Sequence, residues 1–167
     1  RKAGVAWMIC SALIFLAITF PTYFDSEQQT NAILIIKKAK EIGEDPYYLI
    51  ATAWVESRIK AGRISHTGDY GIFQINWRFW AKKWGYTSKH KFLQDMSDPQ
   101  HSTVAAAVVL KEMRRYEACQ GLNLPACYNG GPRWQKSKNI KAIIRYANNV
   151  NWMAGVFKRR YPDWAKQ

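Results

Sequence analysis

From Ala3 to Phe20 the sequence is almost unbroken apolar residues, interrupted only by Ser11 and Thr19 and preceded by Arg1 and Lys2. A run with no polar face is hard to place on the surface of a small domain, so it divides the chain before anything else is read. As a helix, eighteen residues rise about 27 Å, just enough for the hydrocarbon core of a bilayer. The leading positive charges would stay cytoplasmic and send the remainder outward. A secretory signal has the same layout, but usually a shorter apolar stretch and a small-residue cleavage site. Thr19-Phe20-Pro21-Thr22-Tyr23 offers no convincing site of that kind. We therefore expect a membrane anchor or uncleaved signal over residues 1–24, with a cleaved signal and a buried helix as competing readings. Residues 25–167 then form one domain in the periplasm, held at the inner membrane, or secreted if the segment is removed.

Within that domain the punctuation is helical. Asp25 to Gln29 reads as a polar linker, and Asn31 to Ile42 as an amphipathic helix stopped by Gly43. Asp45-Pro46 supplies an N-cap followed by proline at the first helical position, which starts a helix from Tyr47 to Ile59 with Gly62 marking its end. Asp98-Pro99 repeats the signal before a helix from about Thr103 to Glu117. Gly130-Gly131-Pro132 predicts a sharp loop, and Ile140 to Val150 a further helix. Strand signals are weak, with no alternating run and no Asn-Gly hairpin between apolar stretches. The predicted class is mainly α.

The formal charge of +13 calls for an anionic polymer or surface, and nucleic acid, anionic lipid and cell wall all qualify. Eight Trp and nine Tyr add planes that stack on bases or sugars as well as filling cores. The basic residues are scattered, no recognition helix or aromatic stripe is present, and export leads away from the cytoplasm, so no nucleic-acid partner is expected. Cys119 and Cys127 enclose a short segment and could bridge in an oxidising compartment. His66, His90 and His101 stand apart, and no metal or cofactor is expected.

On the helix Tyr47 to Ile59, the residues three, four and seven before Glu56 are Ala53, Thr52 and Leu49, all on its face. An apolar surround with small residues beside the carboxyl raises its pKa by disfavouring the charged form. The Thr52 hydroxyl can counter this by donating to the carboxylate, or can bond the carbonyl one turn back and leave only its methyl beside Glu56. The competing picture is a surface glutamate paired with Lys60 at i+4.

Glu56-Ser57, Ser65, Gly68, Gly71 and Gln74, then Tyr128-Asn129-Gly130-Gly131 and Tyr146, together resemble the lysozyme-like lytic transglycosylase family. Its pattern places a Ser nine residues and a Gln eighteen residues after the Glu, and both intervals hold here. The form of Asp69 to Asn76 resembles that of small members accompanying secretion systems, conjugation machinery and pili. The resemblance covers about residues 44 to 150 and implies a lysozyme-like domain that cleaves the peptidoglycan glycan strand. It implies Glu56 as catalytic acid and base, and Ser65 orienting Glu56 or the substrate's N-acetyl group. Tyr146 would hold the Glu56 carboxyl, while Gln74, Tyr128, Asn129, Gly130 and Tyr70 would contact the sugar. Many relatives carry Ala where this chain has Asp69, and goose-type lysozymes carry an Asp at about that interval. Asp69 would then either cap a turn or position a water in a hydrolytic muramidase, a phage endolysin included. Ala142-Ile143-Ile144-Arg145 lacks the Glu-Thr usual before the late Tyr of larger relatives, which weakens the carry-over to Tyr146. The implied partners are the glycan strand, the membrane through residues 1–24, and a secretion, pilus, conjugation or phage assembly.

Overall fold

A computed structural model describes residues 18–166. The expected anchor falls for the most part outside them, and among the described residues no helix is long and apolar enough to cross a membrane.

The first helix, α1 (Ser26–Glu41), begins five residues before its predicted start. Asp25 to Gln29 is no linker: the Asp25 carboxylate accepts the Gln28 N–H at 2.9 Å, and the Gln28 side-chain oxygen accepts the Asp25 N–H at 2.7 Å. This reciprocal pair satisfies two of the donors that a helix start leaves open. Helix α2 (Pro46–Ser57) starts as expected, with the Asp45 carboxylate capping the Tyr47 N–H at 2.9 Å. It is apolar nearly all round and lies between α1 and α7 (Ile140–Arg160), with Leu49, Ile50, Ala51 and Ala53 fully buried.

Helix α2 stops before Gly62, because Arg58 and Ile59 both adopt left-handed backbone with φ of 59°. That conformation is unfavourable for a β-branched residue. Here α1 holds it: the side-chain amides of Gln28 and Asn31 donate to the carbonyls of Arg58 and Ile59 at 2.9 Å each. Ile59 is fully buried. The turn directs the chain into a short antiparallel hairpin, β1 (Asp69–Tyr70) with β2 (Ile75–Asn76), pairing Asp69 with Asn76 and Tyr70 with Ile75. Gly71 lies at its tip with φ of 76°, and a Cβ there would come within 1.9 Å of the Met96 carbonyl oxygen. No larger residue fits at that position.

Three helices absent from the sequence expectation follow or interleave: α3 (Trp77–Trp80), α4 (Lys89–Ser97) and α6 (Leu124–Gly130). Helix α5 (Pro99–Met113) starts at its Asp-Pro signal and ends four residues before the predicted Glu117. Helix α7 runs ten residues past the predicted Val150, carried by a buried stripe of Ile143, Ala147, Val150, Met153 and Phe157 at helical spacing. Packing of that stripe outweighs the poor helix propensity of Asn148, Asn149 and Asn151. Cys119 and Cys127 form a disulfide between a 3-10 turn (Glu117–Cys119) and α6, with both sulfur-bearing residues buried. The predicted mainly α class holds, and the small hairpin is its one sheet among the described residues.

Candidate active site

Glu56 is half-buried on the last turn of α2, at the floor of a cleft of about 710 Å³. One wall carries Thr67, Asp69, Gln74 and Asn76 from the hairpin with Phe79 and Trp80 from α3. The other carries Tyr128, Asn129 and Gly130 from α6 and the loop Gly131 to Arg133. Ser57, the next residue after Glu56, turns away from the cleft and donates its hydroxyl to the Ile72 carbonyl at 2.7 Å. That buried bond fastens the end of α2 to the hairpin, so the carboxyl and the hairpin wall are held in one register.

The surface pairing of Glu56 with Lys60 does not form. Lys60 reaches Asp25 and Glu27 instead, and the Glu56 carboxylate accepts the Tyr146 hydroxyl at 2.7 Å. Thr52 donates to the Tyr48 carbonyl at 2.9 Å, so only its apolar side is turned toward the rest of the face. Burial pushes the Glu56 pKa up to about 8; Asp69 adds to the rise, and the Tyr146 bond and Arg63 oppose it. The group is therefore protonated at neutral pH and able to donate. The hydroxyls of Tyr128 and Tyr146 are pushed well above their ordinary range, first by burial and then by the Glu56 charge, so both remain donors.

Asp69 behaves in the opposite way. Its carboxylate accepts the Ser65 hydroxyl at 2.6 Å, the Asn76 amide at 2.7 Å and the Thr67 hydroxyl. Burial would raise its pKa, but these three donors and the charge of His66 together hold it below the ordinary value. It is an anion fixed in place, facing the cleft that Glu56 closes from below.

Other residues singled out from the sequence fall in several places. Ser65 spends its hydroxyl on Asp69 and Thr67 and makes no bond to Glu56. Gln74 lines the cleft with φ of 48°, and its side-chain N–H groups tie down the carbonyls of Gly71 and Arg63 at 2.8 and 3.1 Å. Tyr128 donates to the Phe73 carbonyl at 2.9 Å and gives the cleft its ring. Asn129 is exposed at the rim. Tyr70 is a correction: it is 8% exposed, packs edge-on against Phe92 at 5.6 Å, and does not line the cleft. The expected loop at Gly130 is also corrected, since Tyr128 to Gly130 are the final turn of α6 and only Gly131, with φ of 74°, turns the chain. Gly130 is small for contact instead: a Cβ would lie 2.6 Å from Ile143 Cδ1 and 2.9 Å from Trp134 Cβ.

Sequence reading missed Asn76, Thr67, Phe79, Trp80 and Arg133 as cleft residues. Only Asn76 left a signal, since it follows the Gln74-Ile75 pair by one position and caps α3 through the Arg78 N–H at 3.0 Å.

The family model described as transglycosylase SLT domain matches residues 33–149, well over half the chain and the whole of the cleft. The chain belongs to that family. A transglycosylase SLT domain is lysozyme-like and acts on peptidoglycan, so the resemblance read from the motifs stands, with lytic transglycosylase-type activity as its general class. No curated protein sequence matches the chain.

Proposed function

We propose that this transglycosylase SLT domain cleaves the β-1,4 bond between N-acetylmuramic acid and N-acetylglucosamine and leaves a 1,6-anhydro end, with Glu56 as general acid and base. The observation that carries the reading is the Glu56 carboxyl itself: set in the cleft floor, bonded by Tyr146 at 2.7 Å and protonated up to about pH 8. Glu56 gives its proton to the glycosidic oxygen as the C1–O bond breaks. The carboxylate left behind then accepts the proton of the muramyl C6 hydroxyl as that oxygen bonds to C1. Glu56 is reprotonated, no water is consumed, and the two-carboxylate scheme of most glycosidases is not required. Tyr146 holds the carboxyl rotamer through both steps.

A hydrolytic alternative rests on Asp69, which lines the same cleft as an anion. With three donors on its two oxygens and a depressed pKa, it is a poor base for activating water. That favours the sugar's own hydroxyl as nucleophile. Product mass separates the two, because an anhydro end is one water lighter than a reducing end. The purified protein should release anhydro-muropeptides from peptidoglycan, and Glu56→Gln should abolish release. A folded Glu56→Gln protein with full activity sinks the reading.

We further propose that residues 1–24 hold the domain at the inner membrane with the cleft in the periplasm, where it opens the wall for a secretion, pilus, conjugation or phage assembly. The apolar run and the Cys119–Cys127 disulfide, at home in an oxidising compartment, support this. Degradation of the domain by external protease in spheroplasts, but not in intact cells, is the expected result. Protection in spheroplasts would refute it.

A further inference from the structure

The two walls of the cleft differ in chemistry. On the hairpin side, Phe79 is 76% exposed, the largest apolar side chain left bare on the cleft lining. Its neighbour Trp80 is already covered, stacked on Trp84 at 5.0 Å and overlain by the Lys83 ammonium at 5.1 Å. Lys83 is in turn engaged by Glu112 at 3.1 Å. The Phe79 ring is therefore the free plane of that wall.

Across the cleft stands Arg133, the one lysine or arginine of the lining among the described residues. It is exposed and makes no ion pair or side-chain hydrogen bond among the described residues. Its backbone, by contrast, is fastened on both sides. The Gly131 N–H bonds the Cys127 carbonyl at 2.8 Å, the Trp134 N–H bonds the Gly131 carbonyl at 3.1 Å, and the Lys136 N–H bonds the Arg133 carbonyl at 2.9 Å. The Trp134 indole N–H donates to the Ala118 carbonyl at 3.3 Å, beside the Cys119–Cys127 disulfide. An unpaired guanidinium on a fixed loop is preorganised for a carboxylate, because little backbone entropy remains to be lost when it is engaged. The two acids of the lining, Glu56 and Asp69, are both committed, to Tyr146 and to the Ser65–Thr67–Asn76 donors.

We propose that Arg133 is a specificity-determining residue that pairs with a carboxylate of the peptide stem, so the enzyme prefers strands bearing acidic stems, while Phe79 stacks on a sugar ring. The inference rests on the peptidoglycan-cleaving reading above. A glycan strand offers ring faces along its length and acids only where a stem branches off. A bare aromatic ring and an unpaired guanidinium lining one cleft match that arrangement.

The test compares two substrates made from one preparation of amine-acetylated peptidoglycan strands, one left with its stem carboxylates and one with them converted to methylamides. The wild-type protein should show a kcat/KM about three- to tenfold higher on the carboxylate strands, the scale of one solvent-accessible charge-assisted contact. That preference should shrink in high salt. In Arg133→Gln the ratio should fall to about one, and in Arg133→Lys it should be partly kept. Because the ratio is taken within one protein, partial unfolding of a variant cancels. Phe79→Ala should lower kcat/KM on both substrates by the same factor and leave the ratio intact. A wild-type ratio near one, or a ratio unchanged in Arg133→Gln, overturns the proposal. If the folded wild type cleaves neither substrate, the proposed activity is what has failed.

Discussion

Replacing Glu56 with Gln removes a group whose ionisation the fold penalises, and the penalty should be visible in stability as well as activity. In the folded protein the Glu56 pKa is about 8, against an ordinary 4.5. Below the lower value both folded and unfolded chains carry the proton, and the site costs nothing extra. Between the two values the unfolded chain gives up its proton while the folded one keeps it, so folding becomes less favourable as pH rises. Above the upper value the folded chain ionises too, and the full penalty is in place. A separation of that size corresponds to an upper limit of about 5 kcal/mol at about 1.4 kcal/mol per pH unit. Water entering the cleft reduces this, and about 2–3 kcal/mol is the expected difference. Glutamine is nearly isosteric, can still accept the Tyr146 hydroxyl, and does not titrate. Urea unfolding followed by tryptophan fluorescence, on both proteins at about pH 5, 6, 7 and 9, measures the gap. Other titrating groups cancel in the difference, so Glu56→Gln should gain on the wild type steadily as pH rises. A gap that stays flat, or narrows with pH, would mean that the carboxyl is solvated and would remove the physical basis for a protonated acid at neutrality.

Tyr146→Phe deletes a donor that favours the charged form of Glu56, so the Glu56 pKa should rise further. The alkaline limb of the pH–rate profile should move to higher pH while kcat at neutrality falls about tenfold through loss of the rotamer hold; an acid-ward shift would contradict the assignment. Gly130→Ala pushes a methyl into Ile143 Cδ1 and should lower stability by about 1–3 kcal/mol. Adding Ile143→Val, which removes that atom, should recover part of the loss in a double-mutant cycle, and strict additivity would count against the contact. Reducing the Cys119–Cys127 bridge, or replacing both residues with Ser, should cost about 2–3 kcal/mol for so short a loop, read as a lowered urea midpoint. Unchanged stability would show that the turn and α6 hold together without it.

Much of this site was legible because its signals are local. The two Asp-Pro starts, and the helical spacing of Leu49, Thr52, Ala53 and Glu56, need only neighbouring residues to be read. The Ser and Gln intervals after Glu56 pointed to the family for the same reason. What stayed hidden depends on partners distant in sequence. Nothing near Arg58 and Ile59 announces that two left-handed residues will end α2, because the amides that hold them come from Gln28 and Asn31. The hairpin strands, two residues each, are too short to show alternation. The sugar-facing reading of Tyr70 failed because the residue's direction is set by Phe92, far along the chain. The later half of α7 was missed because its buried stripe outweighs the asparagines that discourage a helix.

The Gln28 and Asn31 clamp also sets where the chain can be cut. The family match begins at residue 33, after both amides, and ends at residue 149, before Val150, Met153 and Phe157 of the α7 stripe. A protein trimmed to those limits would lose the donors to the carbonyls of Arg58 and Ile59, at about 1–3 kcal/mol for each that stays buried without a partner, and would release the turn that carries the chain from Glu56 to the hairpin. The smallest piece able to keep the Glu56 carboxyl in register with its cleft is therefore longer at both ends than the stretch that identifies the family. Expression boundaries should run through Trp164 and start no later than Thr19, whose carbonyl accepts the Trp164 indole N–H at 2.9 Å, so that Phe24, 3% exposed in the core, is kept.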